Sequence, residues 1–121
     1  MIFITGGRYQ GKLDYAVKRF GLAESDICHI GLDFSRRCLA DLDRYALDCV
    51  KNGVDPLKAF QENPSAWQNS ILISADISGG VVPIDPVLRA WREASGRMNL
   101  YLAAHADEVW RLFCGIPQRL K

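Results

Sequence analysis

The segment Gly6-Gly7-Arg8-Tyr9-Gln10-Gly11-Lys12-Leu13 fits G-x-x-x-x-G-K and is the strongest chemical signal in the sequence. Glycines let the backbone curl until consecutive N–H groups face one anion, and a helix beginning just after them adds the positive end of its dipole. A phosphate-binding loop is the expectation, with residues 6–13 around the phosphates of ATP or GTP and Lys12 against the outer ones. Position 13 departs from the pattern. A Ser or Thr hydroxyl there would ligate the Mg²⁺ bridging the β and γ phosphates, and Leu13 offers no oxygen, so metal-assisted transfer is weakened. Asp76 follows the apolar run Ile71-Leu72-Ile73-Ser74, and Asp41 follows Cys38-Leu39-Ala40. Carboxylates at the C-terminal ends of parallel strands converge on the ligand crevice, so both are candidates to hold Mg²⁺ or to take a proton from a substrate hydroxyl.

Other reactive side chains give weaker signals. His29 sits in an apolar stretch and His105 on an apolar helix stripe, and both read as packing or boundary residues. Cys28, Cys38, Cys49 and Cys114 form no C-x-x-C pair and read as thiols acting as small hydrophobes. Trp67, Trp91 and Trp110 lack the clustering with basic residues that a base-stacking platform shows, and read as packing.

The elements that must position these residues follow from periodicity. Ile2-Phe3-Ile4-Thr5 is a short continuous apolar run meeting glycines at once, as a strand buried on both faces does in a parallel sheet. Leu13, Ala16, Val17 and Phe20 at helical spacing, with Gly21 behind them, give a helix over 12–20. Ile27 to Ile30 is a second strand. Ser35 to Gly53 admits two readings: one long helix, or a short strand at 38–40 ending in Asp41 and then a helix over 42–52. A short helix covers 56–62, a strand 71–74, and Asp85-Pro86 caps a helix of about five turns reaching His105. Val109 to Cys114 is a last strand, and Arg111 within it requires that one side or end see solvent.

Strand and helix alternate, which predicts a three-layer α/β domain of P-loop type with a mostly parallel sheet flanked by helices, one nucleotide-binding domain over 1–121. The 15 Lys and Arg against 14 Asp and Glu give a net charge of +1, which disfavours general nucleic-acid binding. No apolar run approaches the ~20 residues that cross a bilayer and no signal peptide is visible, so no membrane partner and a cytoplasmic location are expected.

Several further segments carry a resemblance. Gly80-Val81-Val82-Pro83, then Arg92 to Asn99, Leu102 to Val109 and Gly115 to Lys121, resemble the adenosylcobinamide kinase/adenosylcobinamide-phosphate guanylyltransferase family of cobalamin biosynthesis. That family opens with a strand, a glycine-glycine phosphate loop and a helix, as Ile2 to Phe20 do, and carries V-S-N-E-V-G where this chain has Ile73-Ser74-Ala75-Asp76-Ile77-Ser78. The resemblance spans about the first 30 and last 50 residues. It implies a nucleotide-dependent kinase acting on a corrinoid hydroxyl, with nucleotide and corrinoid as partners, and a homo-oligomer, a trimer in the family. The family's histidine that accepts GMP lies on a helix between its second strand and a V-L-V-D strand. No histidine occurs between Gly31 and Gly53, which implies a shortened member lacking the guanylyl-transfer half, and Cys38-Leu39-Ala40-Asp41 then resembles the V-L-V-D strand. The other reading is a non-catalytic nucleotide- or corrinoid-binding protein with a degenerate loop.

Overall fold

A computed structural model describes residues 1–121. The elements run β1 (Ile2–Thr5), α1 (Lys12–Phe20), β2 (Ile27–Cys28), β3 (Cys38–Leu39), α2 (Leu42–Lys51), α3 (Leu57–Glu62), β4 (Ile71–Ile73), α4 (Pro86–His105), β5 (Glu108–Phe113) and β6 (Ile116–Arg119). They form one sheet in the order β2-β3-β4-β1-β5-β6. Every pair is parallel except β5–β6, and β1 lies between β4 (Phe3 opposite Leu72) and β5 (Phe3 opposite Val109).

Alternation along the central strands divides the core in two, because successive side chains of a strand point to opposite faces. Phe3, Leu39, Leu72 and Val109 pack with Leu42, Ala46, Phe60, Met98 and Leu102, so α2, α3 and α4 cover one face. Ile4, Cys38, Ile71, Ile73 and Leu112 pack with Ala16 and Leu22, so α1 covers the other. The result is the three-layer α/β arrangement with a mostly parallel sheet flanked by helices. No helix is long and apolar enough to cross a membrane.

The ambiguous 35–53 stretch takes the split form. Cys38–Leu39 pairs with both β2 and β4, and α2 starts at Leu42 after Asp41, whose φ of 53° lies in the left-handed region. A continuous helix would have withdrawn Cys38 and Leu39, both fully buried, from the sheet centre. Helix α4 is capped as its sequence indicates, with Asp85 Oδ1 accepting from Val87 N at 2.8 Å and Leu88 N at 3.3 Å. Three differences stand out. β2 ends at Cys28, so His29 lies beyond the strand and pairs with Glu24 at 2.7 Å. β4 ends at Ile73, which places Asp76 three residues past it. The sixth strand, β6, is additional to the strands that the sequence pattern predicts; all four of its residues are exposed, so it has no buried face to impose a pattern.

Candidate functional site

β1 and β4 are neighbours, yet the chain leaves β1 for α1 on one face and leaves β4 for α4 on the other. Connections diverging from adjacent parallel strands open a crevice at their carboxyl ends, where ligands bind in such sheets. The 6–12 loop fills one wall. Gly6 has φ 139°, its carbonyl accepts from Asp76 N at 2.8 Å, and a Cβ placed on it would stand 2.4 Å from the Leu112 carbonyl oxygen. Only glycine satisfies that conformation and that approach together. Lys12, the first residue of α1, turns back to donate from Nζ to the Gly7 carbonyl at 2.7 Å, closing the loop on itself.

Beside this loop lies a cleft of about 560 Å³ lined by Arg8, Tyr9, Lys12, Asp41, Asp43 and Arg44, with Trp91 and the exit of β4 completing it. Asp41, left-handed at the N-cap of α2, makes no capping bond with its side chain. A non-glycine residue in this region is strained by about 1–3 kcal/mol and is held there by its surroundings. Asp43 is buried, its Oδ1 accepting from Ala75 N at 3.1 Å and its carbonyl from Trp91 Nε1 at 2.7 Å. The Arg8 guanidinium stacks over the Trp91 ring at 5.3 Å from its centroid. Three cations thus meet two carboxylates. Burial holds the Lys12 pKa below the ordinary lysine value, with Asp43 and then Asp41 partly offsetting this and Arg8 adding to it.

The cleft joins Lys12 and Asp41 and leaves Asp76 out. Asp76 lines a neighbouring groove of about 370 Å³ between α4 and the β1–β5 side of the sheet, with Thr5, Ser78 and Arg92. Its Oδ1 takes both Ser78 N at 2.9 Å and Ser78 Oγ at 2.5 Å. Those hydrogen bonds, with smaller help from Arg111 and Arg92, hold its pKa below the usual carboxylate value. A carboxylate so stabilised is a weak base, better suited to orienting a cation or a donor than to removing a proton. Of the loop residues, Gly11 lies on the α1 side with Asp14 and Tyr15, and Leu13 packs against the core under α1.

Sequence reasoning missed Asp43 and Trp91. Asp43 resembles any solvated first-turn carboxylate until the strand at 38–39 is recognised, after which Asp-Leu-Asp just beyond a buried strand is a usable signal. Trp91 lies on the stripe that packs α4, and nothing local marks it as lining a cleft. Both histidines lie away from the cleft: His105 stacks on Tyr101 with ring centroids 4.1 Å apart. Three cysteines are buried, and burial pushes the Cys38 thiol up to about 12, which keeps it inert; Cys114 is exposed.

A glycine-rich loop at the N-terminus of the first helix, opposed across the cleft by carboxylates that follow β3, two strands away in a mostly parallel sheet, defines an α/β protein with a charged crevice at the carboxyl ends of its strands. The family model for cobinamide kinase / cobinamide phosphate guanyltransferase matches residues 39–120, about two thirds of the sequence, and the chain belongs to that family. It is similar to the bifunctional adenosylcobalamin biosynthesis protein CobU of Salmonella typhimurium, 39% identical over 51 residues, and to that of Escherichia coli, 37% identical over 51 residues. Each alignment covers 42% of this chain and 28% of the relative, so the chain matches under a third of the length of these curated relatives.

Proposed function

We propose that the chain binds a nucleoside triphosphate, ATP or GTP, in the crevice between the 6–12 loop and the N-terminus of α2. The observation that carries this reading is Lys12, which closes the loop on the Gly7 carbonyl while lining one cleft with Asp41 and Asp43. Backbone N–H groups of the loop would hold the inner phosphates and Lys12 the outer ones. Arg8 and Arg44 add charge at the cleft's mouth.

The donor set fits Mg²⁺ as an ion shared with substrate. No cluster of three or more His, Cys, Asp or Glu side chains is present, but Mg²⁺ is commonly held by one or two carboxylates completed by phosphate oxygens and water. Asp41 and Asp43 are the residues that would hold it, in place of the oxygen that Leu13 lacks. When bound, the ion neutralises charge developing on transferred phosphate. Lys12 would add its own positive charge to the same phosphate, and the buried Asp43 fixes α2 against β4 so that Asp41 keeps its place.

The function this supports is phosphoryl transfer to a hydroxyl of a cobinamide-type corrinoid, with Asp76 and Arg92 in the adjoining groove orienting the acceptor. Guanylyl transfer through a histidine adduct is not part of it, since neither His29 nor His105 lines the cleft. Assembly into a homo-oligomer, such as a trimer, and action in the cytoplasm belong to the same reading. Leu13 packing into the core favours a second reading, a nucleotide- or corrinoid-binding protein without turnover.

Calorimetric titration of ATP and GTP, with and without Mg²⁺, into wild type and Lys12→Ala tests the proposal. Binding by wild type that falls at least tenfold in the variant is expected, since charge-assisted contacts are worth about 1.5–3 kcal/mol. Equal affinities would remove the loop from the site. Turnover of ATP or GTP with cobinamide separates the kinase from the non-catalytic reading.

A further inference from the structure

The outer arm of the 6–12 loop is held by an element far away in sequence. Strands β5 and β6 are joined by Cys114 and Gly115, both with positive φ (51° and 75°), as the central residues of a two-residue hairpin turn matching the strand twist require. The two amides at this turn face the loop. Cys114 N donates to the Gln10 side-chain Oε1 at 2.5 Å, and Gly115 N donates to the Gln10 backbone carbonyl at 2.9 Å. A Cβ placed on Gly11 would stand 3.4 Å from Gly115 Cα, so the turn and the loop are in contact here as well.

Tyr9, the residue before Gln10, has φ 59° and is 99% exposed. An exposed aromatic side chain gives the backbone no packing that would hold it in the left-handed region, and such conformations persist only where neighbours over-determine them. The neighbour here is Gln10, fixed twice by the hairpin. The inner arm is closed separately, by Lys12 on the Gly7 carbonyl.

We infer that Gln10 is a positioning residue for the phosphate loop: by accepting both hairpin-turn amides, it locks the outer arm in the curled form that an anion meets. The inference rests on the reading of residues 6–12 as a phosphate cradle. Gln10 itself need not touch the nucleotide; it removes conformational freedom that binding would otherwise have to remove. The β5–β6 hairpin thereby becomes part of the site's framework, and binding at the loop is felt at residues 114–115.

The test uses the full chain with ATP and inorganic tripolyphosphate as probes, comparing wild type, Lys12→Ala, Gln10→Ala and Gln10→Met. Methionine keeps the length of glutamine without its acceptor. Both Gln10 variants are expected to bind each probe roughly 3- to 10-fold more weakly, the effect of losing one net hydrogen bond of order, while melting within a few degrees of wild type. Amide hydrogen exchange supplies a readout that a purely structural role would not move. In wild type, exchange at Cys114 and Gly115 should slow when ATP binds, and in Gln10→Met the slowing at Cys114 should disappear. Unchanged affinity in both Gln10 variants beside a weakened Lys12→Ala overturns the latch and leaves the cradle standing. Failure of wild type to bind either probe overturns both. If the variants fail to fold, exchange in wild type decides: no change at 114–115 with ATP bound refutes the coupling.

Discussion

Replacing Asp43 by alanine and by asparagine separates two roles of one carboxylate. Asp43 Oδ1 accepts from Ala75 N at 3.1 Å, which ties the first turn of α2 to the exit of β4. Ala75 is 4% exposed, so Asp43→Ala removes the hydrogen-bond partner of a largely buried N–H. An orphaned donor of this kind costs about 1–3 kcal/mol. For a domain of this size each kcal/mol lowers the melting temperature by about 3–5 °C, so a fall of roughly 3–15 °C is expected. In Asp43→Asn the amide oxygen can still accept from Ala75, and melting should stay within about 4 °C of wild type. Only the charge is lost. If that charge faces Mg²⁺, the ratio of ATP affinities with and without Mg²⁺ should collapse about tenfold or more in Asp43→Asn, the equivalent of about 1.4 kcal/mol. Thermal melts of the apoprotein and calorimetry with and without Mg²⁺ read the two quantities independently. An asparagine variant as unstable as the alanine variant, with its Mg²⁺ dependence intact, would refute both roles.

Lys12 titrates below the ordinary lysine value, so between its own pKa and 10.5 the unfolded chain binds more protons than the folded one. Stability therefore rises with pH through that window by this group's contribution, while affinity for triphosphate falls there as Lys12 loses its charge. Lys12→Arg, whose guanidinium stays protonated, should abolish the alkaline loss of binding, and a decline identical to wild type would assign it elsewhere. Leu13→Ser should increase the Mg²⁺ dependence of nucleotide affinity and lower stability by about 1–2 kcal/mol, because a partly buried apolar side chain is removed as a ligand oxygen is supplied; denaturant melts and calorimetry check the two effects. Cys114→Asn places in a left-handed turn position a residue that tolerates it better, so the melting temperature should rise by about 2–5 °C, and a fall would contradict the strain assigned there. Intact-mass measurement after incubation with GTP should show no GMP adduct, and an adduct on His29 or His105 would reinstate a nucleophile.

What can be read from the sequence follows from which elements carry their signal in neighbouring residues. Ile2–Thr5 and Ile71–Ile73 are buried on both faces, so their unbroken apolar runs were visible, and Asp85-Pro86 announced α4 because capping is local chemistry. The two-residue strand Cys38–Leu39 was ambiguous because Leu39, Leu42, Ala46 and Cys49 also fit a helix face; the strand prevails through long-range pairing with Ile71 and Leu72, which no local window contains. β6 escaped notice for the opposite reason. It lies at the sheet edge, carries Pro117 and buries no residue, so neither alternation nor hydrophobicity marks it.

The candidate site was half legible for the same reason. Lys12 belongs to a contiguous motif whose chemistry is carried by its spacing, and Asp41 became a candidate once a strand was placed before it. Asp76, a candidate on the same logic, has its carboxylate in the neighbouring groove, because side chains leaving a sheet alternate faces and two residues, Ser74 and Ala75, separate it from β4. Asp43 reaches the cleft through the first turn of α2, a geometry settled only when β3 and β4 are paired. The family match over residues 39–120 contains Asp41, Asp43 and Asp76 but excludes the loop at 6–12. The two cleft carboxylates and the loop alike stand on geometry, and because the loop lies outside the family match, the Lys12 and Gln10 variants bear most directly on whether this chain handles phosphate.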